Sequence, residues 1–136
     1  MRIMLEPGAF MPERAHETDA GLDVFAMHGG IVRAGQSAVF HTGVHVELPH
    51  EIMGDVRPKS GLMFKHDILT FGTVDEGYDG EVMVKMFNLG KEDYSVRRGD
   101  KLTQLATVRV VYEPLELVER INGGDRKSSG FGSTGI

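Results

Sequence analysis

The feature that most constrains this chain is the two-residue period of its apolar side chains. Val44, Val46 and Leu48 alternate with His45 and Glu47, and Val82, Val84 and Met86 alternate with Met83 and Lys85. Ala106, Val108, Val110 and Tyr112 alternate in the same way with Thr107, Arg109 and Val111. Successive side chains of an extended strand point to opposite faces, so each run predicts a half-buried strand. A further strand is predicted at Ile52, Gly54 and Val56, with these three turned inward. Turn-forming clusters separate the runs: Pro49-His50, Pro58-Lys59-Ser60-Gly61, Gly77-Tyr78-Asp79-Gly80, Arg98-Gly99-Asp100 and Asn122-Gly123-Gly124. No helical period extends beyond two turns, and residues 67–73 fit a strand or a loop equally well. Many short strands with this punctuation indicate an all-β barrel, sandwich or jelly roll.

A chain of 136 residues makes one domain with a single modest core. Its formal charge of −5 argues against the basic face of a general nucleic-acid binder. The same charge is compatible with a phosphorylated small molecule, which needs only a few cations, backbone N–H groups and a metal ion. The absence of cysteine excludes disulfides and thiolate metal sites. There is no run of roughly 18 apolar residues and no signal-peptide pattern, so no membrane association and a cytoplasmic location are expected. The eighteen glycines imply many turns, and the eight methionines read as core filler.

Residues 122–136 differ from the rest. Five glycines, three serines and little apolar material suit a flexible tail. The order of residues adds more: Arg126-Lys127, then Gly130-Phe131-Gly132-Ser133-Thr134-Gly135, supplies cations, N–H donors, hydroxyls and one ring. Those are the parts of a phosphate cradle with a stacking platform, without the lysine placement of a Walker A loop. The division expected is a β-domain over residues 1–121 and a flexible glycine-rich arm over 122–136.

Four other segments concentrate polar residues that strands do not need. In Asp19-Ala20-Gly21-Leu22-Asp23-Val24, Asp19 could cap a turn and Asp23 could hold a hydrated Mg²⁺. Arg57-Pro58-Lys59-Ser60-Gly61-Leu62 reads as a charged turn, or as a phosphate contact built from a cation with adjacent N–H and O–H donors. The segment from Gly72 through Asp75 and Tyr78 to Val82 reads as a hairpin with an acidic turn. Its carboxylate could be merely solvated, or could deprotonate a water beside an aromatic ring. Arg98-Gly99-Asp100-Lys101-Leu102-Thr103-Gln104-Leu105 reads as a turn entering a strand, with Gln104 a polar position on it. His41 and His45 lie four apart on a predicted strand, about 13 Å along it and too far to share a metal, so the six histidines are assigned structural or surface roles.

In this order and spacing the five segments resemble the five motifs of the trimeric dUTPase family, over nearly the whole chain from Asp19 to Gly135. The resemblance implies a distorted jelly-roll β-barrel, assembled as a homotrimer whose active sites lie between subunits and are closed by the carboxyl-terminal arm. It implies Mg²⁺-assisted hydrolysis of dUTP to dUMP and diphosphate by in-line attack of water on the α-phosphate. Such a reaction limits uracil incorporation into DNA and supplies dUMP for dTMP synthesis. By position, Asp75 matches the aspartate that activates the water, and Tyr78 matches the ring beneath the deoxyribose. Gly72 and Met83 lie where backbone reads uracil, while Lys59, Ser60 and Gly61 match a phosphate-contacting motif. Asp23 and Gln104 match positions that touch the waters of the magnesium ion, with Gln104 also at the substrate. Arg126 would meet the γ-phosphate, Phe131 would stack on uracil, and Gly132, Ser133 and Thr134 would add donors.

The sequence departs from the family pattern at Lys59, where arginine is usual, and at Gly77, where aspartate is frequent. Lys127 and Ser129 stand where the arm usually has glycines, and the stretch from Leu62 to Asp75 is shorter than in many relatives. Two competing functions share the fold. A dCTP deaminase needs a glutamate in the strand after the Gly77-Tyr78-Asp79-Gly80 turn, where this chain has Lys85. A non-catalytic dUTP-sensing interaction module would be expected to lack the base or the arm, and Asp75 and Phe131 are both present.

Overall fold

The computed structural model describes residues 1–124. It is an all-β architecture of the jelly-roll type, with eleven strands and one short helix among the described residues. In chain order these are β1 (Arg2–Leu5), β2 (Gly21–Phe25), β3 (Gly30–Val32), β4 (Ser37–Phe40), β5 (Val44–Glu47) and β6 (Ile52–Arg57). They continue with α1 (Ser60–His66), β7 (Ile68–Thr70), β8 (Gly72–Val74), β9 (Val84–Asn88), β10 (Tyr94–Val96) and β11 (Lys101–Arg109).

Every pairing is antiparallel. A four-stranded sheet runs β2-β11-β6-β8 and a three-stranded sheet runs β4-β9-β7, with two-stranded ribbons β1-β5 and β10-β3 completing the set. One core joins the two larger sheets. Val24, Val56, Val74, Leu102 and Leu105 enter it from the first, and Phe40, Ile68, Val84 and Met86 from the second. Polar contacts cross the same space. The Thr103 hydroxyl donates to the Arg57 carbonyl at 2.7 Å, so the Thr70 hydroxyl must donate to Thr103, also at 2.7 Å.

The period-two reading holds where strands are regular. Val44, Val46 and Leu48 are buried, as are Val82, Val84 and Met86, while Met83 and Lys85 face out. It holds only in part in β11. This strand starts at Lys101 and ends at Arg109, so Val110 and Tyr112 lie beyond it, and Leu102, Thr103 and Leu105 are its buried positions. A register shift against β2 between Lys101 and Thr103 accompanies the two consecutive inward residues, Leu102 and Thr103. His41 and His45 also do not share a strand, because β4 ends at Phe40 and β5 begins at Val44.

Residues 67–73 resolve into β7 and the start of β8, with only Phe71 between them. The segment from 57 to 62 is not a simple turn but the entry to α1, whose N-cap Lys59 is extended at φ −77° and ψ 128°. Lys65 and His66 sit in its last turn, where the helix dipole favours positive charge.

Asn88 is fully buried and bolts the end of β9 to its surroundings. Its side-chain amide donates to the Val32 carbonyl at 2.9 Å and the Glu92 carbonyl at 2.8 Å, and its Oδ1 accepts from the Gly90 N–H at 2.9 Å. Asn88→Ala is expected to lower unfolding free energy by roughly 2–4 kcal/mol, since three hydrogen bonds go and buried acceptors lose a partner. Urea denaturation measures it, and a change under about 0.5 kcal/mol would mean that water replaces the amide.

Candidate active site

The expected site residues fall into two groups. The first gathers where β2, β11 and β6 run side by side, with Asp23 opposite Gln104 and Gln104 opposite Arg57. Asp23 is only 6% exposed. One of its oxygens is ion-paired with the Lys59 ammonium, and the other lies 2.7 Å from the Lys101 ammonium. Burial pushes the Asp23 carboxyl up, but the hydrogen bonds from Lys101 and Lys59 outweigh it and hold the group below the usual aspartate range. The Gln104 side chain donates to the Pro58 carbonyl at 3.1 Å, which leaves its Oε1 as an available acceptor among the described residues. Ser60 and Gly61 follow Lys59 on the exposed first turn of α1.

The second group surrounds a cleft of about 170 Å³ lined by residues that include Phe71, Gly72, Val74, Tyr78, Met83 and Lys85. The cleft exists because the expected hairpin is not a paired hairpin. β8 bonds to β6 and β9 bonds to β4 and β7, so the two arms belong to different sheets and part from each other. Between the arms, residues 75–78 form a tight turn closed by the Tyr78 N–H on the Asp75 carbonyl at 3.2 Å. Gly77 holds its third position at φ +85°, a left-handed conformation that costs an L side chain. That is a local reason for glycine where an aspartate was expected.

Tyr78 is fixed by its hydroxyl, which donates to the Glu81 carbonyl at 3.0 Å. Its ring lies on Gly80, where a Cβ would come within 2.4 Å of the phenolic oxygen. The ring is 45% exposed and Met83 is 50% exposed, so both offer surface at the cleft. The Met83 N–H turns back on the Glu81 carbonyl at 3.0 Å. A bond between residues two apart is bent, and a ligand carbonyl could replace it. The Asp75 carboxylate is exposed and has no ion pair or hydrogen bond among the described residues, which leaves it free to accept from a water.

These two groups do not meet within one chain. Val74 is level with Gly54, so Asp75 leaves the sheet near Met53, while Lys59 follows Arg57 at the far end of β6. Four residues of strand separate Met53 from Arg57, about 13 Å. Arg126, Phe131, Gly132, Ser133 and Thr134 lie outside the described residues.

A magnesium ion finds no cluster of three carboxylate or histidine ligands among the described residues. Direct coordination therefore does not fit, because both Asp23 oxygens already face ammonium groups. An outer-sphere place does fit. Gln104 Oε1 can accept from hydration waters, and an Asp23 oxygen would open to them if Lys59 turned away.

Sequence reasoning missed three groups that shape the site. Lys101 is the second cation on Asp23. Glu81 accepts from the Thr42 and Gly43 N–H groups at 2.8 Å each and from His41 at 2.7 Å. His50 pairs with Glu76 at 2.8 Å. Their only sequence signal is a histidine or lysine at a strand end, and the partners lie 26 to 78 positions away. The structural role assigned to His41, His45 and His50 agrees with these pairings and with that of His45 to Glu6 at 3.0 Å.

The hydrogen bond to Glu81 raises the His41 pKa above its ordinary 6.5. Burial pushes Glu81 up, but bonds from the Gly43 N–H, His41 and the Thr42 N–H together lower it below 4.5. The histidine part of this tie is therefore complete below pH 6.5 and fades as pH climbs through the raised folded value. The glutamate part is complete above 4.5 and fades on acidification through its lowered folded value. An NMR titration should place the His41 midpoint above 6.5, and Glu81→Gln should return it toward 6.5. An unmoved midpoint would remove the pair.

A family model described as dUTPase matches residues 8–135. The deoxyuridine 5'-triphosphate nucleotidohydrolase of Clostridium acetobutylicum is 44% identical, over 97% of this chain and 93% of that protein. The enzyme of the same name from Gloeothece citriformis is 41% identical over the same shares. Among solved structures, a mutant dUTPase of Staphylococcus bacteriophage 80alpha with dUpNHpp superposes with a TM-score of 0.92 at 25% identity, covering 99% of this chain and 98% of that one. A mutant dUTPase from phage phi11 of S. aureus, described with a structural Mg(II) ion, gives 0.82 at 27% identity over 90% and 98%.

Proposed function

The chain belongs to the dUTPase family, and from that premise we propose that it is the enzyme that hydrolyses dUTP to dUMP and diphosphate. The observation that carries the reading is the cleft between β8 and β9, with the tethered Tyr78 ring on its wall and Asp75, unpaired among the described residues, next in the chain to the lining residue Val74. Uracil enters between the separated arms at Gly72 and Met83. Tyr78 packs beneath the deoxyribose, where its immobile ring leaves no room for a 2′-hydroxyl. Asp75 takes the proton of a water as that water attacks the α-phosphorus in line, and diphosphate leaves.

Lys59 moves from Asp23 to the triphosphate, while Lys101 stays behind and keeps the buried Asp23 charge paired. When bound, Mg²⁺ neutralises phosphate charge, with Asp23 and Gln104 holding it through its hydration waters. Ser60 and Gly61 offer further donors to phosphate. The arm, residues 122–136, would close the site with Arg126 at the γ-phosphate, Phe131 on the base, and Gly132, Ser133 and Thr134 as donors. A cytoplasmic role in supplying dUMP and keeping uracil out of DNA belongs to the same proposal.

The separation of Asp75 from Lys59 supports a homotrimer with shared sites. A protomer that carries the base at one end of a sheet and the phosphate-binding lysine at the other needs a neighbour to complete either half. Asp75→Asn should bind an unhydrolysable dUTP analogue normally yet lower turnover by at least ~10²-fold. Diphosphate release from dUTP, UTP, dTTP and dCTP provides the assay. Activity confined to another nucleotide, or near-normal turnover of the variant, would defeat the assignment. Mixed trimers of Asp75→Asn and Lys59→Ala protomers should regain measurable activity that neither variant shows alone. No recovery in verified hybrids would place both groups in one subunit's site.

A further inference from the structure

Asp75 has no side-chain partner among the described residues, and its turn is held by other groups. The next residue is among them. One oxygen of Glu76 accepts from His50 Nδ1 at 2.8 Å. The other accepts from the Glu51 N–H at 2.9 Å and from the Tyr112 hydroxyl at 2.6 Å. Three separate stretches of chain therefore converge on one carboxylate: the β5–β6 turn, the turn bearing Asp75, and the segment leaving β11. The hydrogen bonds from Tyr112, His50 and the Glu51 N–H draw the Glu76 carboxyl down to about 2, so it is ionised throughout the working range.

The backbone beneath this junction is strained in a way that serves it. Glu51 adopts φ +60°, a left-handed conformation uncommon for a residue with a side chain, at the third position of a turn closed by the Ile52 N–H on the Pro49 carbonyl at 3.1 Å. That conformation aims its N–H at Glu76, while its carbonyl accepts from the Val110 N–H at 2.8 Å. Local strain of this kind persists only where the surroundings over-determine it, and here both polar groups of Glu51 are engaged.

We propose that Glu76, gripped by His50, the Glu51 N–H and Tyr112, is a positioning residue that fixes the Asp75 turn and ties it to the chain leaving β11. The inference rests on Asp75 being the base in the proposed function. Tyr112 lies three residues past the end of β11, on the path toward residue 124. The seating of that path and the aim of the Asp75 carboxylate are thus coupled through one side chain.

The test compares Glu76→Ala, Glu76→Gln, Tyr112→Phe and the Glu76→Ala/Tyr112→Phe double variant, with steady-state kinetics on dUTP and amide exchange across residues 75–78. Glu76→Ala should lower kcat about tenfold or more, the effect of a small misplacement of a reacting group, and leave KM within about twofold. Tyr112→Phe should have a smaller effect in the same direction, and adding it to Glu76→Ala should cost nothing more, because the two act through one junction. Glu76→Gln, which keeps acceptors for the N–H and the hydroxyl, should recover part of the loss. Exchange at residues 75–78 should quicken in Glu76→Ala by more than exchange in the core strands does. Unaltered kcat, a change confined to KM, additive losses, or unchanged exchange would overturn the proposal. A wild-type enzyme inert toward dUTP would instead defeat the proposed function, and the exchange measurement would still decide whether Glu76 holds the turn.

Discussion

The site depends on two consecutive strands taking partners in different sheets. β8 is the edge of the four-stranded sheet through β6, and β9 is the centre of the three-stranded sheet between β4 and β7. Had the two paired with each other, their backbones would lie about 4.8 Å apart, with no room for a ring between them. β9 has both of its ladders satisfied elsewhere, whereas β8, as an edge strand, keeps one row of N–H and C=O groups without a strand partner. The turn between them is left to carry the exposed Asp75 and the tethered Tyr78. Core residues of both sheets belong to one buried cluster, which joins the two sheets.

Charge is managed differently at the two halves of the site. Asp23 is buried, and burial alone would favour its protonated form, but two ammonium groups keep it ionised. Removing one cation still leaves the other, so Lys59 can serve a substrate without stranding a buried carboxylate. Around the cleft the carboxylates do structural work: Glu76 and Glu81 each accept three hydrogen bonds and pin the two ends of the connection between β8 and β9. Asp75, in the same stretch, has no side-chain partner among the described residues. A chain with five more acidic than basic side chains thus spends its acids on geometry as well as chemistry.

Much of this was legible in the sequence, and what was not has identifiable causes. Alternation located β5, β6 and β9 and their inward faces, because those strands are regular. In β11 it set Ala106 and Val108 against Thr107 and Arg109 as the structure has them, but it ran past the strand's end at Arg109 and missed the bulge between Lys101 and Thr103. The polar segments drew attention to Lys59, Asp75 and Tyr78 outside strands and to Asp23 and Gln104 within strands, since glycine and charge cluster in those stretches. The partners of β8 and β9 were out of reach, because strand pairing over long separations leaves no local trace. For the same reason the partners of Lys101, His50 and Tyr112 could not be read. Each matters only through a carboxylate distant in the chain.

The central claim, that the nucleotide base lies between the arms beside Asp75, is tested most directly by backbone amide exchange with and without an unhydrolysable dUTP analogue. The account predicts slowed exchange within residues 72–83, at the cleft between β8 and β9. A larger cleft of about 450 Å³ lies beside Arg2, Met4, His45 and Asp79. Protection confined to β1 and β5 there, with residues 72–83 unchanged, would contradict it.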